Sequence, residues 1–513
     1  MKNPLASKTK FIKLYLPALL AGAIAPLSLS PVNFWPSAFV SVFVLLLALE
    51  HATTKQAAKL GWVFGLGFFS VGASWVYVSI NLYGNASGIF AAFLTFLFVG
   101  ALALLFALQC WVYQQYFSGL HRALSFAACW VLFEWLRSWL LTGFPWLYLG
   151  YGHINTLLAN LAPVLGVLGI SFVVSLIGGL LYEMFVIWQK EKLFMSKHLI
   201  KYGIVFILLG LILFYLSSIS WVEENVNRKA EVALVQANID QNFKFDPAFI
   251  GEGLKLYNRL SAPLWGNDII IWPETAIPLL YQSADTELAY LDRLANENNS
   301  SLVTGILYRE DNKVYNSIAS LGTGSGVYHK QKLVPFGEYV PFTSIMETIL
   351  KIFSLPMSSL SVGPDNQALL QASGFSFASY ICYEVVYPDF VRKQAHQADF
   401  LVTISNDTWF GASFGPLQHL QMAAMRALEN GRYMIRATSN GVTAFINEKG
   451  QIVDQTKQFE IATLRSAVPV FKGRTPFSYW GSWPIVLFSF LILAAIYSLK
   501  RIHKYQGKAS SHV

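Results

Sequence analysis

The stretch FSFASYICYE, Phe375–Glu384, stays apolar almost to its end and then sets a thiol and an acid two residues apart. Four to eight such residues read as a buried strand. Cys382 then lies at the strand's exit, and Glu384 follows it. The neighbouring stretches have the same form. EVALVQANI (Glu231–Ile239) is a buried strand running into a polar turn, and DIIIWPETAIP (Asp268–Pro278) is a strand ending at Pro273-Glu274. SLVTGILY (Ser301–Tyr308), NSIASLG (Asn316–Gly322) and DFLVTISNDTWFG (Asp399–Gly411) read as further strands, the last with a polar exit. PLQHLQMAAMRALENG (Pro416–Gly431) has Pro at its start and Gly at its end, as a helix does. YMIRATSNGVTAFINEKGQIV (Tyr433–Val453) reads as strands joined at Asn-Gly and Lys-Gly turns. Strands alternating with helices predict a sheet core covered by helices rather than a hairpin barrel.

The remainder of the chain is of another kind. Of 513 residues, 54% are hydrophobic and 13% are charged, with a mean hydropathy of +0.45. Soluble domains carry about 25% charged residues, so the deficit predicts a membrane protein. Apolar runs long enough to approach a span of ~20 residues lie near Phe11–Ser30, Trp35–Leu49, Leu60–Ile80, Gly88–Tyr113, Leu124–Leu141, Leu161–Trp188, Leu199–Ser220 and Trp483–Leu499. The first is long and lacks a small-x-small exit, so it reads as a retained helix rather than a cleaved signal peptide. The expected organisation is a membrane domain over 1–220 with seven helices, an α/β domain over 221–475, and an eighth helix with a tail over 476–513.

Charge placement orients this array. Lys55, Lys59, Arg122, Lys190, Lys192, Lys197 and Lys201 follow the second, fourth and sixth runs, whereas the loops after the first, third and fifth carry no Lys or Arg. Positive flanks stay cytoplasmic. Both termini are therefore expected inside and the α/β domain outside. The net charge of +8 divides accordingly: the membrane part has 16 Lys and Arg against 4 acids, the exported part 21 against 25. The basic pI is a topology signal and gives no reason to expect a nucleic-acid partner, which requires a basic face on the folded domain.

Cys110 and Cys129 fall in apolar runs and read as packing residues. Cys382 is alone in the polar half, so it cannot form a disulfide within that domain; it is either a buried small hydrophobe or a used thiol. Two other polar residues stand at strand ends: Glu274, and Lys330 in YHKQKLVPFGEYVP. Singly, they read as a loop acid and a surface charge. Together with the thiol they form a coherent set. A thiol with a reference pKa near 8.5 needs a proton acceptor, which a carboxylate supplies. An ammonium stabilises the thiolate and the oxyanion that follows attack on a carbonyl, and the Tyr383 backbone N–H, next to the nucleophile, is a second candidate donor.

These three motifs resemble the nitrilase superfamily, whose Glu–Lys–Cys triad sits on an αββα sandwich. With seven membrane runs before the domain, one after it, and the motifs LVPFGEYVP and SNDTWFG, the whole chain is similar to the apolipoprotein N-acyltransferases, the integral inner-membrane family within that superfamily. The fold implied is a polytopic α-helical membrane protein of about eight transmembrane helices carrying an exported nitrilase-like αββα sandwich. The resemblance assigns Glu274 as general base, Lys330 as catalytic lysine and Cys382 as nucleophile. Lys332 stays a flanking charge. Glu338 in PFGE and Glu384 match accessory acids that position the lysine and the cysteine loop, Tyr383 matches the aromatic after the nucleophile, and Asn316 a supporting polar residue. In QNFKFDPAF, Phe245 stands where several relatives carry Trp, so an aromatic wall survives without an indole N–H. The implied donor is a phospholipid, usually phosphatidylethanolamine. The implied acceptor is a diacylated apolipoprotein, served by a monomer in the bacterial inner membrane with no cofactor.

Other segments admit two readings each. FTSIMETILKIFSLPMSSL (Phe342–Leu360), with Phe353 and Met357, is either a core helix or an apolar arm dipping into lipid. Glu134 and Arg137 share a helical face within an apolar run, as a headgroup-binding pair or as a staple between helices. Trp409 borders an acyl pocket or is a core aromatic. GFPWLYLGY (Gly143–Tyr151) lines a lipid entrance or forms an interfacial belt. No Cys/His spacing suggests zinc, and GTGSG (Gly322–Gly326) lacks the Lys-Ser/Thr of a phosphate loop. Two rival functions remain open: a membrane-tethered amidase for small polar substrates, and a transporter with an exported binding domain.

Overall fold

The computed structural model describes residues 4–84, 86–192, 197–340 and 360–509. Its chain divides into two compact units, one of residues 1–77, 87–219 and 480–513, the other of 78–86 and 220–479.

The first unit is helical. Every predicted apolar run contains a helix: Pro4–Ile24, Pro36–Leu49, Thr54–Gly72, Gly88–Val112, Arg122–Arg137, Ala162–Glu191, Lys197–Ser217 and Trp483–Ala509. Among the described residues, four helical stretches are long and apolar enough to cross a membrane: Gly88–Phe117, Leu157–Glu191, Leu199–Ser217 and Trp483–His503. A fifth results if Thr54–Gly72 and Trp75–Tyr83, bent by 58°, count as one span. The third run is therefore not one straight helix. Its far end, Val78–Ala86, groups with the second unit. The first run also ends early, at Ile24, where Ala25-Pro26 opens a 3-10 turn.

The second unit is a two-sheet sandwich. Its strands in chain order are β1 (Val222–Gln236), β2 (Ile269–Ile271), β3 (Ile277–Leu280), β4 (Ser301–Glu310), β5 (Lys313–Gly322), β6 (Val327–His329), β7 (Leu370–Ala372), β8 (Phe375–Ile381), β9 (Phe400–Ser405), β10 (Met434–Thr438), β11 (Ala444–Ile446), β12 (Ile452–Gln455) and β13 (Ala462–Gly473). One sheet runs β13-β1-β2-β4-β5-β6, with β3 beside β4; the other runs β12-β11-β10-β9-β8-β7. The parallel runs are β1-β2-β4 and β8-β9-β10. Parallel strands need both faces covered, which explains why the paired stretches Val232–Leu234, Ile269–Ile271 and, but for Thr403, Phe400–Ile404 are apolar.

Side-chain alternation shows how the layers form. Val232, Leu234, Ile269 and Ile271 point between the sheets and meet Phe377, Phe400, Val402, Ile404 and Ile435 from the opposite one. Ala233, Val235, Ile270 and Trp272 point the other way, onto Leu254, Tyr257, Leu288 and Leu291 of the helices Pro247–Ser261 and Asp285–Glu297. Helices Pro388–Ala395 and Gly415–Asn430 pack on the second sheet. The result is helix, sheet, sheet, helix. Each fully buried Ile of β2 contributes roughly 1.5–3 kcal/mol.

Candidate functional site

In sheets with parallel strands, functional groups collect beyond the carboxyl ends. Glu274 follows β2, Lys330 follows β6, Cys382 follows β8, and Asn406 and Asp407 follow β9.

Glu274 is buried in a turn whose next residue, Thr275, has a φ of 49°. The turn lies against β4 at Gly305. A methyl group there would sit 2.7 Å from the Glu274 Cα and closer still to the Thr275 nitrogen. Gly305→Ala is therefore expected to displace the carboxylate and lower the activity of this site at least tenfold, measured on folded protein. Gly251→Ala, in a helix with open space around it, should leave the rate unchanged.

The Glu274 carboxylate is fully engaged. Oε1 accepts from Asn316 Nδ2 at 2.7 Å and lies 3.5 Å from Lys330 Nζ, while Oε2 accepts from the Asn406 backbone N–H at 2.6 Å. Lys330 is 1% exposed, and its Nζ is 2.8 Å from Glu338 Oε1. Burial alone would discharge this lysine, but Glu338, Glu274 and Cys382 outweigh it and its pKa rises above the ordinary lysine value. It remains an ammonium. Asn316, on β5, also donates to Glu338 Oε1 at 3.1 Å, and the Val334 N–H donates to Glu338 Oε2 at 2.8 Å. Glu338 thus anchors the lysine, and Asn316 bridges the two acids.

Cys382 is partly exposed and has a φ of 51°, a region that side chains other than Gly seldom occupy. Burial and the Glu274 charge push its thiol up, with the Lys330 charge opposing them. The resting site thus holds a protonated thiol, a cation, and a carboxylate whose field acts on that thiol.

Glu384 ties two loops together. Its Oε2 accepts from the Ile381 N–H at 2.7 Å; its Oε1 accepts from Tyr328 Oη at 2.9 Å and from the N–H groups of Gln331 and Lys332 at 2.6 and 3.2 Å. One carboxylate therefore fastens the cysteine strand to the loop just after Lys330. Burial raises its pKa to about 7. The folded state then holds an extra proton here between the unfolded carboxyl value, near 4.3, and 7, so stability falls as pH rises across that window and levels off above it. The change approaches roughly 3–4 kcal/mol. Urea unfolding in detergent at pH 5 and pH 8 should show a larger pH difference for the wild type than for Glu384→Gln; equal differences would contradict this.

Tyr383 is buried, with its ring edge-on to Tyr387 at 5.3 Å. Phe245 is 48% exposed, and Trp409, at 42%, is not a core aromatic. The Trp409 ring meets Tyr83 at 5.6 Å, and its carbonyl accepts from Ser79 Oγ at 2.7 Å. Lys332 is exposed, its Nζ over the Tyr387 ring at 5.6 Å. Phe353 and Met357 lie outside the described residues, as does the segment 341–359. Glu134 and Arg137 are not part of this constellation: both are buried in the helical unit. Glu134 Oε1 accepts from Trp130 Nε1 at 2.9 Å and from the Leu149 N–H at 3.0 Å, and Arg137 lies over the Phe69 and Tyr148 rings at 5.3 Å each. Within Gly143–Tyr151, Trp146, Tyr148 and Tyr151 are buried in the same unit.

Two features escape sequence reading. Lys244, beside the Phe245 that drew attention, is buried and donates from Nζ to the Glu274 carbonyl at 2.8 Å; burial lowers its pKa to about 8 against the Glu274 charge. The other is a buried cluster of Asp407, His419 and Arg436 behind Cys382.

Residues 21–180 match the apolipoprotein N-acyltransferase N-terminal domain family, and residues 231–470 the carbon-nitrogen hydrolase family. The second match agrees with the sandwich described above. Curated relatives are similar along almost the whole chain. The apolipoprotein N-acyltransferase of Pseudomonas syringae pv. tomato is 43% identical over 493 residues, covering 93% of this chain and 96% of that protein. The Pseudomonas putida enzyme of the same name is 44% identical, covering 95% and 97%. That of Pseudomonas aeruginosa UCBPP-PA14 is 44% identical, covering 92% and 93%.

Proposed function

The chain belongs to the apolipoprotein N-acyltransferase family, and from that premise we propose that it acylates lipoproteins through a thioester on Cys382, with a phospholipid as donor. The observation that carries the route is the buried ammonium of Lys330, held between Glu338 and Glu274, whose charge acts on the Cys382 thiol.

Glu274 takes the thiol proton as sulfur attacks the ester carbonyl of the donor. The carbonyl oxygen becomes an oxyanion, met by the Lys330 ammonium and the Tyr383 N–H. Collapse breaks the ester C–O bond; the leaving oxygen takes the proton from Glu274, and a lysophospholipid departs. The α-amine of a diacylglyceryl-cysteine then attacks the thioester and gives its proton to Glu274. The C–S bond breaks, an amide forms, and the thiolate recovers the proton. Phosphatidylethanolamine is the donor we favour.

Membrane anchoring follows from the substrates. Extracting an acyl chain into water costs about 0.8 kcal/mol per CH₂, so a site kept at the lipid surface avoids most of that penalty. The basic loops after alternate apolar runs support cytoplasmic termini and an exported sandwich at the bacterial inner membrane. We propose about eight spans, one for each apolar run that holds a helix, in a chain acting as a monomer. Phe245 and Trp409, both exposed aromatics of the second unit, are proposed to border the acyl chain, with Phe353 and Met357 as lipid contacts. Glu134 and Arg137 are proposed as a staple, because Glu134 holds Trp130 and the Leu149 N–H and Arg137 lies over Phe69 and Tyr148, all within their own unit.

The test is a two-stage transfer. The chain is incubated with phosphatidylethanolamine, freed of excess lipid, and then given a synthetic diacylated lipopeptide. A third acyl chain should appear on the peptide amine in step with loss from the protein. Transfer to water alone, or acylation of the peptide only while donor is present, would argue against the route.

A further inference from the structure

Directly behind the nucleophile lies a set of charges that the route above does not use. Asp407 and His419 are each 1% exposed and Arg436 is fully buried. They come from three elements: the turn after β9, the helix Gly415–Asn430, and β10. Asp407 Oδ2 accepts from Arg436 Nη2 at 2.6 Å, and Oδ1 accepts from Ser405 Oγ at 2.6 Å. His419 Nδ1 stands 3.2 Å from both Asp407 Oδ1 and Arg436 Nη2, and its Nε2 is 3.1 Å from the backbone oxygen of Cys382.

The protonation follows from the partners. A carbonyl oxygen can only accept, so His419 Nε2 carries the hydrogen. Nδ1 lies between a donor and an acceptor, 3.2 Å from the Arg436 guanidinium and 3.2 Å from the Asp407 carboxylate, and both hold the ring in place. Burial and the Arg436 charge both lower the imidazole pKa, in agreement with a neutral ring. Asp407 is held well below the usual carboxylate range: burial opposes this, and the Arg436 charge at 2.6 Å outweighs it.

The Cys382 carbonyl and the Tyr383 N–H belong to one planar trans peptide and point in opposite directions. Whatever holds the first aims the second. Cys382 itself sits at a φ of 51°, where the backbone stays only if its surroundings fix it.

We propose that His419, locked by Asp407 and Arg436, is a positioning residue that grips the Cys382 carbonyl and thereby aims the Tyr383 N–H at the oxyanion. It touches no substrate. The inference rests on the acyl-cysteine reading of Cys382, and its test separates the two.

The experiment uses the full chain in detergent with two variants and two reagents. The glutamine amide nitrogen can occupy the place of imidazole Nε2, whereas that of asparagine reaches only to Nδ1. Acylation by phosphatidylethanolamine passes through an oxyanion; alkylation of Cys382 by iodoacetamide is a displacement at a saturated carbon and does not. His419→Asn should slow acylation at least tenfold at unchanged lipid KM, with alkylation within threefold of wild type. His419→Gln should keep both within threefold. Equal acylation by His419→Asn and wild type would overturn the proposal, as would parallel loss of acylation and alkylation in His419→Gln. If His419→Asn does not fold, His419→Gln decides by the same limits. A wild type that alkylates but never acylates would overturn the acyl-cysteine reading instead.

Discussion

Lys330→Met should lower the rate of acyl-enzyme formation by about 10³-fold or more, with lipid KM changed much less. Losing one preorganised oxyanion donor costs on the order of 10²–10³ in rate. The substitution also leaves Glu274 and Glu338 facing a buried apolar group, since Lys330 Nζ lies 3.5 and 2.8 Å from their oxygens. Both carboxylates then face each other across Asn316 without their shared counter-charge, which disturbs the geometry of Glu274 as well. Breaking a buried pair destabilises by about 3–5 kcal/mol, so unfolding is measured in parallel and rates are compared only on folded protein. Lys330→Arg should not rescue activity, because a planar fork does not fit a site built around a point charge. Wild-type rates in Lys330→Met would remove the lysine from the chemistry.

Cys382→Ser is expected to lose acyl-enzyme formation by at least 10³-fold while keeping the fold. Oxygen replaces sulfur at the strand exit, where a φ of 51° constrains the backbone and not the side-chain element. The site raises the thiol pKa through burial and the Glu274 charge, so on the proposed route even sulfur must pass its proton to Glu274 as it attacks. A hydroxyl is a much weaker acid than a thiol, and the same carboxylate deprotonates it far less readily. Melting temperatures should differ little between Cys382→Ser and wild type. If the serine variant acylates as fast as the cysteine, nucleophilic sulfur is excluded from the rate-limiting step.

The legible parts of this molecule are those in which one residue's neighbours in sequence are also its neighbours in function. The apolar stretches of β2, β8 and β9 read as strands because they are buried on both faces, and the polar residues at their exits then mark a site. β13 and the first half of β1 were not legible. The first half of β1, Val222–Lys229, is exposed or half-buried with no period of two, and it bulges between Glu224 and Lys229. β13 is interrupted by Pro469 and flanked by polar loops, so the composition of both resembles a loop. β6 is three residues long and leaves no period to read. The Asp407–His419–Arg436 cluster is spread over a turn, a helix and a strand, and only the sheet order brings it together. Lys244 was hidden for a different reason: a lysine next to an aromatic reads as surface, and its burial depends on the Glu274 turn arriving from 30 residues away. The apolar run Leu60–Ile80 hid its break because Ala73 and Trp75 are as apolar as a continuing helix, and composition does not record a 58° bend.

The most direct measurement is the intact mass of the purified chain after incubation with phosphatidylethanolamine of defined acyl composition, followed by peptide mapping. The account predicts one added acyl mass, placed on Cys382 as a hydroxylamine-labile thioester and missing from Cys382→Ala. An unmodified wild-type chain that still acylates a diacylated lipopeptide, or an acyl group found on any other residue, would contradict it.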